Sequence, residues 1–182
     1  MLRFILLNVG RRLAIDSHLQ RLRESIAAAT HGMTVAELMR HPADKWSAAE
    51  IVEHLYLSCA RTVKGLERCL HAGEPLAGSP TFQQRLIATI VVGAGYMPKG
   101  RQAPDSTRPR GMPAERVVAE VQAQIAAMDE IIAQCEARYG KRAKLTDHPV
   151  LGPLTARQWR KFHWVHGRHH LRQIYRLRTA AQ

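Results

Sequence analysis

Two histidines four residues apart, His166 and His170, are the strongest candidates for functional residues in the sequence. Each residue of an α-helix advances by roughly 100°, so these imidazoles lie about 40° apart on one helix face. Trp159 and Gln173 share this face, whereas His169 points away from its centre and three arginines fall roughly opposite (Arg168, Arg172 and Arg176). An i, i+4 pair can bind one metal ion, as in H-E-x-x-H helices, although no Glu follows His166. The alternative is a pair of hydrogen-bonded core histidines.

A third ligand has to come from another part of the chain, and His54 is the best candidate. It lies in the middle of a predicted helix beside an apolar stripe, with Glu50, Ser58 and Arg61 as neighbours at helical spacing. A lone buried histidine is more often a hydrogen-bonded core residue than a ligand, and the residues alone leave that alternative open.

Four further polar residues are candidates for supporting roles. Glu50 is a candidate general base, with capping of the helix start as the alternative. Gln173 is a candidate to orient a ligand or to bond across helices. Arg61 can neutralise an anionic substrate or form an ordinary salt bridge. His163, about 60° from His166 on the helix, is a candidate for the rim of the site or for contact with a ligand.

Three neutral imidazoles would leave a divalent metal with its charge of +2 and with open coordination positions. Catalytic zinc sites have this layout, whereas structural zinc sites are closed by four protein ligands. Nickel, iron and manganese are equally compatible, because imidazole discriminates poorly among them. The open position can activate a water molecule or bind a low-molecular-weight thiol as thiolate.

Helical periodicity, capping residues and terminating glycines predict the elements that carry these histidines. No internal repeat and no period-2 strand pattern is evident, so the predicted fold is all-α. It has four long helices, shorter helical pieces and the character of a bundle. The helical segments are predicted near residues 16–29, 34–42, 47–72, 80–92, 113–138 and 155–177.

The segment Gly93–Pro113 is rich in glycine, proline and basic residues, which predicts a long loop without regular structure. A loop of this length in a small domain is either functional or mobile. It can cover the histidine site, and a mobile or dimer-contacting loop is the alternative.

A length of 182 residues suits one domain with one core. We expect the domain to span residues 16–178, with a poorly ordered extension over 1–15 and a tail over 179–182. No apolar run approaches the ~20 residues that cross a bilayer, so no membrane association is expected.

The formal net charge is +12, but the basic residues are scattered among acids along the whole chain. This scatter argues against a nucleic-acid-binding surface. The cysteine count is three, with no CxxC pair, which argues against disulfides or a cysteine-rich zinc site. Buried, reduced cysteines in a cytoplasmic protein are the expectation.

At the histidines the sequence resembles the DinB-like (YfiT-like) metal-binding bundle family. Residues 46–55 (WSAAEIVEHL) look like its W-S-x-x-E-x-x-x-H-L helix start, and residues 166–174 (HGRHHLRQI) look like its H-x-x-x-H-x-x-Q-I ending. Residues 147–155 (DHPVLGPLT) resemble the lead-in to the last helix in an uncharacterised subgroup. The resemblance plausibly covers residues 16–178.

The resemblance implies an up-down-down-up four-helix bundle with His54, His166 and His170 as a three-histidine metal site. Characterised relatives include thiol-dependent transferases, so the leading hypothesis is a metal-dependent transferase or hydrolase acting on a small molecule. A non-enzymatic metal-binding or stress-response protein is the second hypothesis, and a basic nucleic-acid-binding module is the third. Bundles of this kind often pair, so a homodimer is also expected.

Overall fold

The computed structural model describes residues 17–42, 45–98, 100 and 102–179. The predicted N-terminal extension and residues 180–182 lie outside the described part. Helices account for most of the described chain, so the predicted all-α class is confirmed. The helices are α1 (Ser17–Thr30), α2 (Val35–Met39), α3 (Ala48–Ala72), α4 (Phe82–Ala88), α5 (Ala114–Tyr139) and α6 (Ala156–Thr179). None of them, over the residues described, has the length and hydropathy to cross a membrane.

The four longer helices α1, α3, α5 and α6 pack around one apolar core. Helix α3 packs along α5, α1 packs along α6, and α3 also contacts α6. The apolar stripe of α5 is fully buried, as are the apolar positions of α1. These core residues are Val117, Val121, Ile125, Met128 and Ile132 on α5, and Leu19, Leu22, Ile26 and Ala29 on α1. The four-helix-bundle topology itself stays a prediction.

Capping side chains set where the helices begin. The Ser47 hydroxyl accepts from the Glu50 amide, and the Glu50 carboxylate accepts from the Ser47 amide at 2.8 Å, which forms the predicted capping box. Helix α3 ends at Gly73, whose φ of 79° is a left-handed conformation that glycine adopts without a steric cost. His54 therefore lies near the second turn of a 25-residue helix with both ends defined.

A short antiparallel hairpin lies between α5 and α6, and the sequence did not reveal it. Strands β1 (Lys144–His148) and β2 (Gly152–Thr155) pair with His148 opposite Gly152. Four- and five-residue strands are too short to show a clear period-2 pattern. The hairpin is anchored through the Leu145 carbonyl, which accepts from the Leu76 amide at 2.9 Å and from the Cys69 thiol at 3.1 Å.

The segment between α4 and α5 is largely irregular, as predicted. A π-helical turn (Thr89–Gly93) continues α4, and a single 3₁₀ turn (Asp105–Thr107) interrupts the loop. The near end of the loop is held by α6, because Lys161 Nζ donates to the Gly93 carbonyl at 2.9 Å and Arg168 donates to the Gly95 carbonyl at 2.7 Å.

Helix α6, which carries two of the three histidines, is fixed against α5 by a buried arginine. The Arg160 guanidinium is 4% exposed and pairs with Asp129 and Glu136, each at 2.8 Å. A buried charge is tolerated only when it is paired in this way. These ion pairs fix the rotation of α6 about its axis and its position along that axis near the histidines.

Close contact between α6 and α1 requires glycine at position 167. A Cβ added to Gly167 would overlap the Leu22 side chain, which is 1% exposed in the core. We predict that Gly167→Ala lowers the free energy of unfolding by about 1–2 kcal/mol, because overpacking outweighs the gain in helix propensity. Urea unfolding measures this change. The double variant Gly167→Ala/Leu22→Ala should lose less stability than the two single variants lose in sum, because Leu22→Ala removes the group that the new Cβ would overlap. Additive losses would contradict the overlap.

Candidate metal centre

Three imidazoles converge where α3 meets α6. The Nε2 atom of His166 lies 3.0 Å from Nε2 of His54 and 3.1 Å from Nε2 of His170. The three rings are mutually edge-on, with centroids 4.7–5.0 Å apart. His54 is buried at 4% exposure, and the other two are partly buried. The structure therefore brings together the three residues that the sequence singled out, and one ion could contact all three.

Hydrogen bonds at the opposite ring nitrogens determine which nitrogen of each imidazole faces the centre. His54 Nδ1 lies 2.8 Å from the Thr107 carbonyl oxygen, which can only accept, so Nδ1 carries the proton. His170 Nδ1 donates to Gln173 Oε1 at 2.9 Å in the same way. Both Nε2 atoms consequently present lone pairs to the centre, as metal-bound histidines do.

His166 completes the site but lacks a partner for its other nitrogen. Its Nδ1 is buried and has no hydrogen bond among the described residues. Burial, reinforced by the neighbouring imidazoles, holds the pKa of His166 well below its usual range, and burial lowers the pKa of His170 to about 3. The lone pairs of His54 and His170 thus both face Nε2 of His166, and a neutral His166 ring can donate a proton to only one of them, whereas a shared cation at the centre would bind all three nitrogens.

Two candidates for supporting roles contact different partners. Gln173 accepts from His170, and its amide nitrogen lies 3.4 Å from His169 Nε2, so its contacts hold a histidine of the triad. His163 is fully buried one turn away, with Nε2 at 2.9 Å from Thr62 Oγ1. It has no hydrogen bond to the triad and is a core histidine rather than a rim residue.

The other two candidates, Glu50 and Arg61, lie on different sides of His54. The Glu50 carboxylate is used in the helix cap and lies 3.4 Å from His41 Nδ1, outside the cavity described below. This position favours its capping role over a role as general base. Arg61 is exposed on the cavity wall and has no ion pair among the described residues.

A buried carboxylate that sequence reasoning overlooked holds the loop against the site. Glu53, 1% exposed, accepts from the amides of Arg110, Gly111 and Met112 at 2.8–3.1 Å. These contacts fix the end of the loop that supplies the Thr107 carbonyl to His54. A carboxylate directly before a candidate ligand on a predicted helix was the available signal, but its partners lie 57–59 residues away.

The triad opens into a cavity of about 590 Å³. Aromatic rings form the nearest walls, with Phe162 stacked on His166 at 5.5 Å and Trp46 at 5.1 Å from His54. His169, expected to point away, instead lines this cavity and has its ring 5.2 Å from His170. A helical wheel does not predict this, because a histidine side chain at the edge of a helix face can turn its ring toward a neighbouring cavity.

Residues 14–176 match the family described as a protein of unknown function (DUF1569). The chain belongs to this family. No curated protein and no solved structure matches it. The resemblance to the DinB-like family is wrong, because the matching family is DUF1569 and no DinB-like family is found. The motifs behind that resemblance encode a capped helix start and two imidazoles on one face, which are local requirements that different helical proteins can share.

The cysteines of this DUF1569 member do not take part in the site. All three are buried, and burial raises the pKa of Cys59 to about 12 and that of Cys135 to about 11. Such thiols stay protonated at neutral pH and are poor ligands and poor nucleophiles. Any thiol that reaches the triad must therefore come from outside the protein.

We predict that Glu53→Gln releases the loop, because an amide offers one acceptor oxygen and turns an N–H group toward donors. The amides of Arg110, Gly111 and Met112 should exchange with solvent at least about tenfold faster, as expected for the loss of charge-assisted hydrogen bonds. Hydrogen exchange followed by NMR measures these rates. Glu67→Gln, an exposed change on the same helix, is the matched control, and equal protection in both variants would contradict the anchoring role.

Acid should destabilise the metal-free protein partly through His163, because burial lowers its pKa to about 3. The unfolded state, with a histidine pKa near ~6.5, binds the proton more readily. The contribution of His163 to the free energy of unfolding is therefore fully present above about pH 6.5 and is lost as the pH falls toward about 3. We expect His163 to account for about 2 kcal/mol of the decrease in the free energy of unfolding between pH 7 and pH 5. This decrease, measured by urea unfolding, should therefore be about 2 kcal/mol smaller in His163→Gln than in the wild type. An unchanged pH dependence would contradict the prediction.

Proposed function

We propose that the protein binds one divalent metal ion through the Nε2 atoms of His54, His166 and His170, and that it is a metal-dependent enzyme acting on a small molecule. The observation that carries this proposal is the convergence of three Nε2 atoms within hydrogen-bonding distance. In two of the rings, those of His54 and His170, the proton lies on Nδ1, which donates to Thr107 and Gln173 respectively. Such preorientation is typical of metal ligands.

The donor set suits zinc, nickel, iron or manganese. With three neutral protein ligands, a bound ion would retain open positions facing the cavity, where it would act as a Lewis acid and lower the pKa of water or of a thiol. The chain itself contributes an oriented triad and the Trp46 and Phe162 rings, which limit the access of water to it.

A cavity beside the triad favours an enzyme over a non-enzymatic metal-binding or stress-response protein. A volume of about 590 Å³ lies in the range of small-molecule sites, and metal binding alone needs no such space. Transfer to or from an external low-molecular-weight thiol and hydrolysis both suit this arrangement. The scattered basic residues do not favour nucleic acid as a partner.

A cytoplasmic location and a homodimer remain part of the proposal. The location is supported by three buried cysteines without a disulfide among the described residues.

Metal analysis of the purified protein tests the binding site. We expect about one equivalent of a divalent metal per chain in the wild type, and His54→Ala and His170→Ala should each lower the affinity by at least about 100-fold because a three-ligand site loses one ligand. His31→Ala, an exposed substitution elsewhere, should retain full occupancy. Full metal content in His54→Ala would contradict the assignment. A wild type that binds metal but turns over no substrate in a thiol-transfer and hydrolysis screen would favour the non-enzymatic alternative.

A further inference from the structure

The cavity wall that leads away from the triad is cationic. Arg61, Lys64 and Arg68 recur along α3 and line the cavity, and none of them has an ion pair among the described residues. The only acidic residue described in the lining is Asp147, whose carboxylate already accepts from the Gly78 amide at 3.1 Å. A concave surface with unpaired positive charge raises the local concentration of anions.

His148 adds a neutral hydrogen-bond donor to this wall. Its Nδ1 accepts from the amides of Val150 and Leu151 at 3.1 and 3.2 Å in the hairpin turn. Burial, with a smaller contribution from the Arg61 charge, lowers the pKa of His148 to about 4. The ring is therefore neutral at neutral pH and carries its proton on Nε2. Nε2 has no hydrogen-bond partner among the described residues and is not fully buried, and His148 lines the cavity.

Arg61 and His148 share the cavity with the triad and with apolar side chains. His54 and Arg61 are seven residues apart on one helix, or about 10 Å along its axis. Leu151, Trp159 and Phe162 line the cavity together with these groups. A ligand that reaches both ends therefore needs an anionic group, an apolar body and a second polar group near the histidines.

We propose that Arg61 and His148 form an anion-binding subsite, and that the substrate is a small amphipathic anion whose carboxylate or phosphate group binds there. The reacting end of the substrate then faces the triad, so this inference rests on the proposed function. The Arg61 guanidinium supplies the charge, and His148 Nε2–H supplies direction. A guanidinium and a neutral donor suit both carboxylate and phosphate oxygens.

Tryptophan fluorescence can report binding, because Trp46 and Trp159 line the cavity. The probes are phenyl phosphate and phenylacetate, with phenol and phenylacetamide as neutral counterparts. We expect both anions to bind more tightly than their neutral counterparts and to weaken as salt is added. A tighter fit of one anion identifies the substrate class as phosphate or carboxylate. Equal affinity for charged and neutral probes would overturn the inference.

Two variants with a matched control test the subsite itself. Arg61→Gln should raise the Kd of both anions at least about tenfold, as expected for the loss of a charged hydrogen bond. His148→Asn keeps an acceptor for the hairpin amides but removes the Nε2–H donor, and should raise the Kd several-fold. Arg172→Gln removes the same charge from an exposed position outside the cavity and should have no effect. Equal Kd values for Arg61→Gln and Arg172→Gln would overturn the proposal.

The His54→Ala variant separates this inference from the proposed function. If the anion binds at Arg61 and His148, its Kd stays close to the wild-type value in His54→Ala, whether or not the protein holds a metal. If the anion binds at the triad, affinity falls in His54→Ala and is retained in Arg61→Gln, which overturns the subsite. Absence of metal from the wild type, with anion binding still dependent on Arg61, would refute the metal site alone.

Discussion

Three imidazole nitrogens face one another at 3.0 and 3.1 Å in a largely buried place, and much of the surrounding structure keeps them there. His54 and His170 both present lone pairs to this centre, and a neutral His166 ring has only one N–H group, so it can donate to only one of them. Protonation is opposed by burial, since the pKa of each ring is lowered. The arrangement therefore favours a cation at the centre of the triad.

Two sets of contacts maintain the convergence from outside the triad. Glu53 binds three loop amides and so holds the Thr107 carbonyl against His54. The Arg160 ion pairs fix α6 against α5, and the small residue Gly167 lets the same helix approach α1 closely. Both helices that carry the triad are thus positioned by buried interactions with low tolerance for change.

Local signals in the sequence predicted the helices and the His166/His170 pair, whereas they did not reveal the long-range pairings, and His54 was assigned as the third ligand only through the family resemblance. Capping boxes and the four-residue spacing of His166 and His170 depend on neighbours along one helix, so they can be read directly. The carbonyl that orients His54 belongs to a residue 53 positions away, and the loop amides bound by Glu53 are similarly distant. The hairpin strands were too short to show their period, and two short motifs were not enough to identify the family correctly. His169 shows that a helical wheel cannot predict where a side chain turns at the edge of a cavity.

X-ray absorption spectroscopy of the zinc-loaded protein in thiol-free buffer tests the central claim most directly. Coordination by the triad predicts three imidazole nitrogens at about 2.0–2.1 Å with the outer-shell scattering of histidine rings, and the remaining positions filled by oxygen. Sulfur scatterers at about 2.3 Å would instead require cysteine ligands, which the buried thiols cannot supply without rearrangement. Sulfur scattering, or fewer than two imidazoles around the metal, would contradict coordination by His54, His166 and His170.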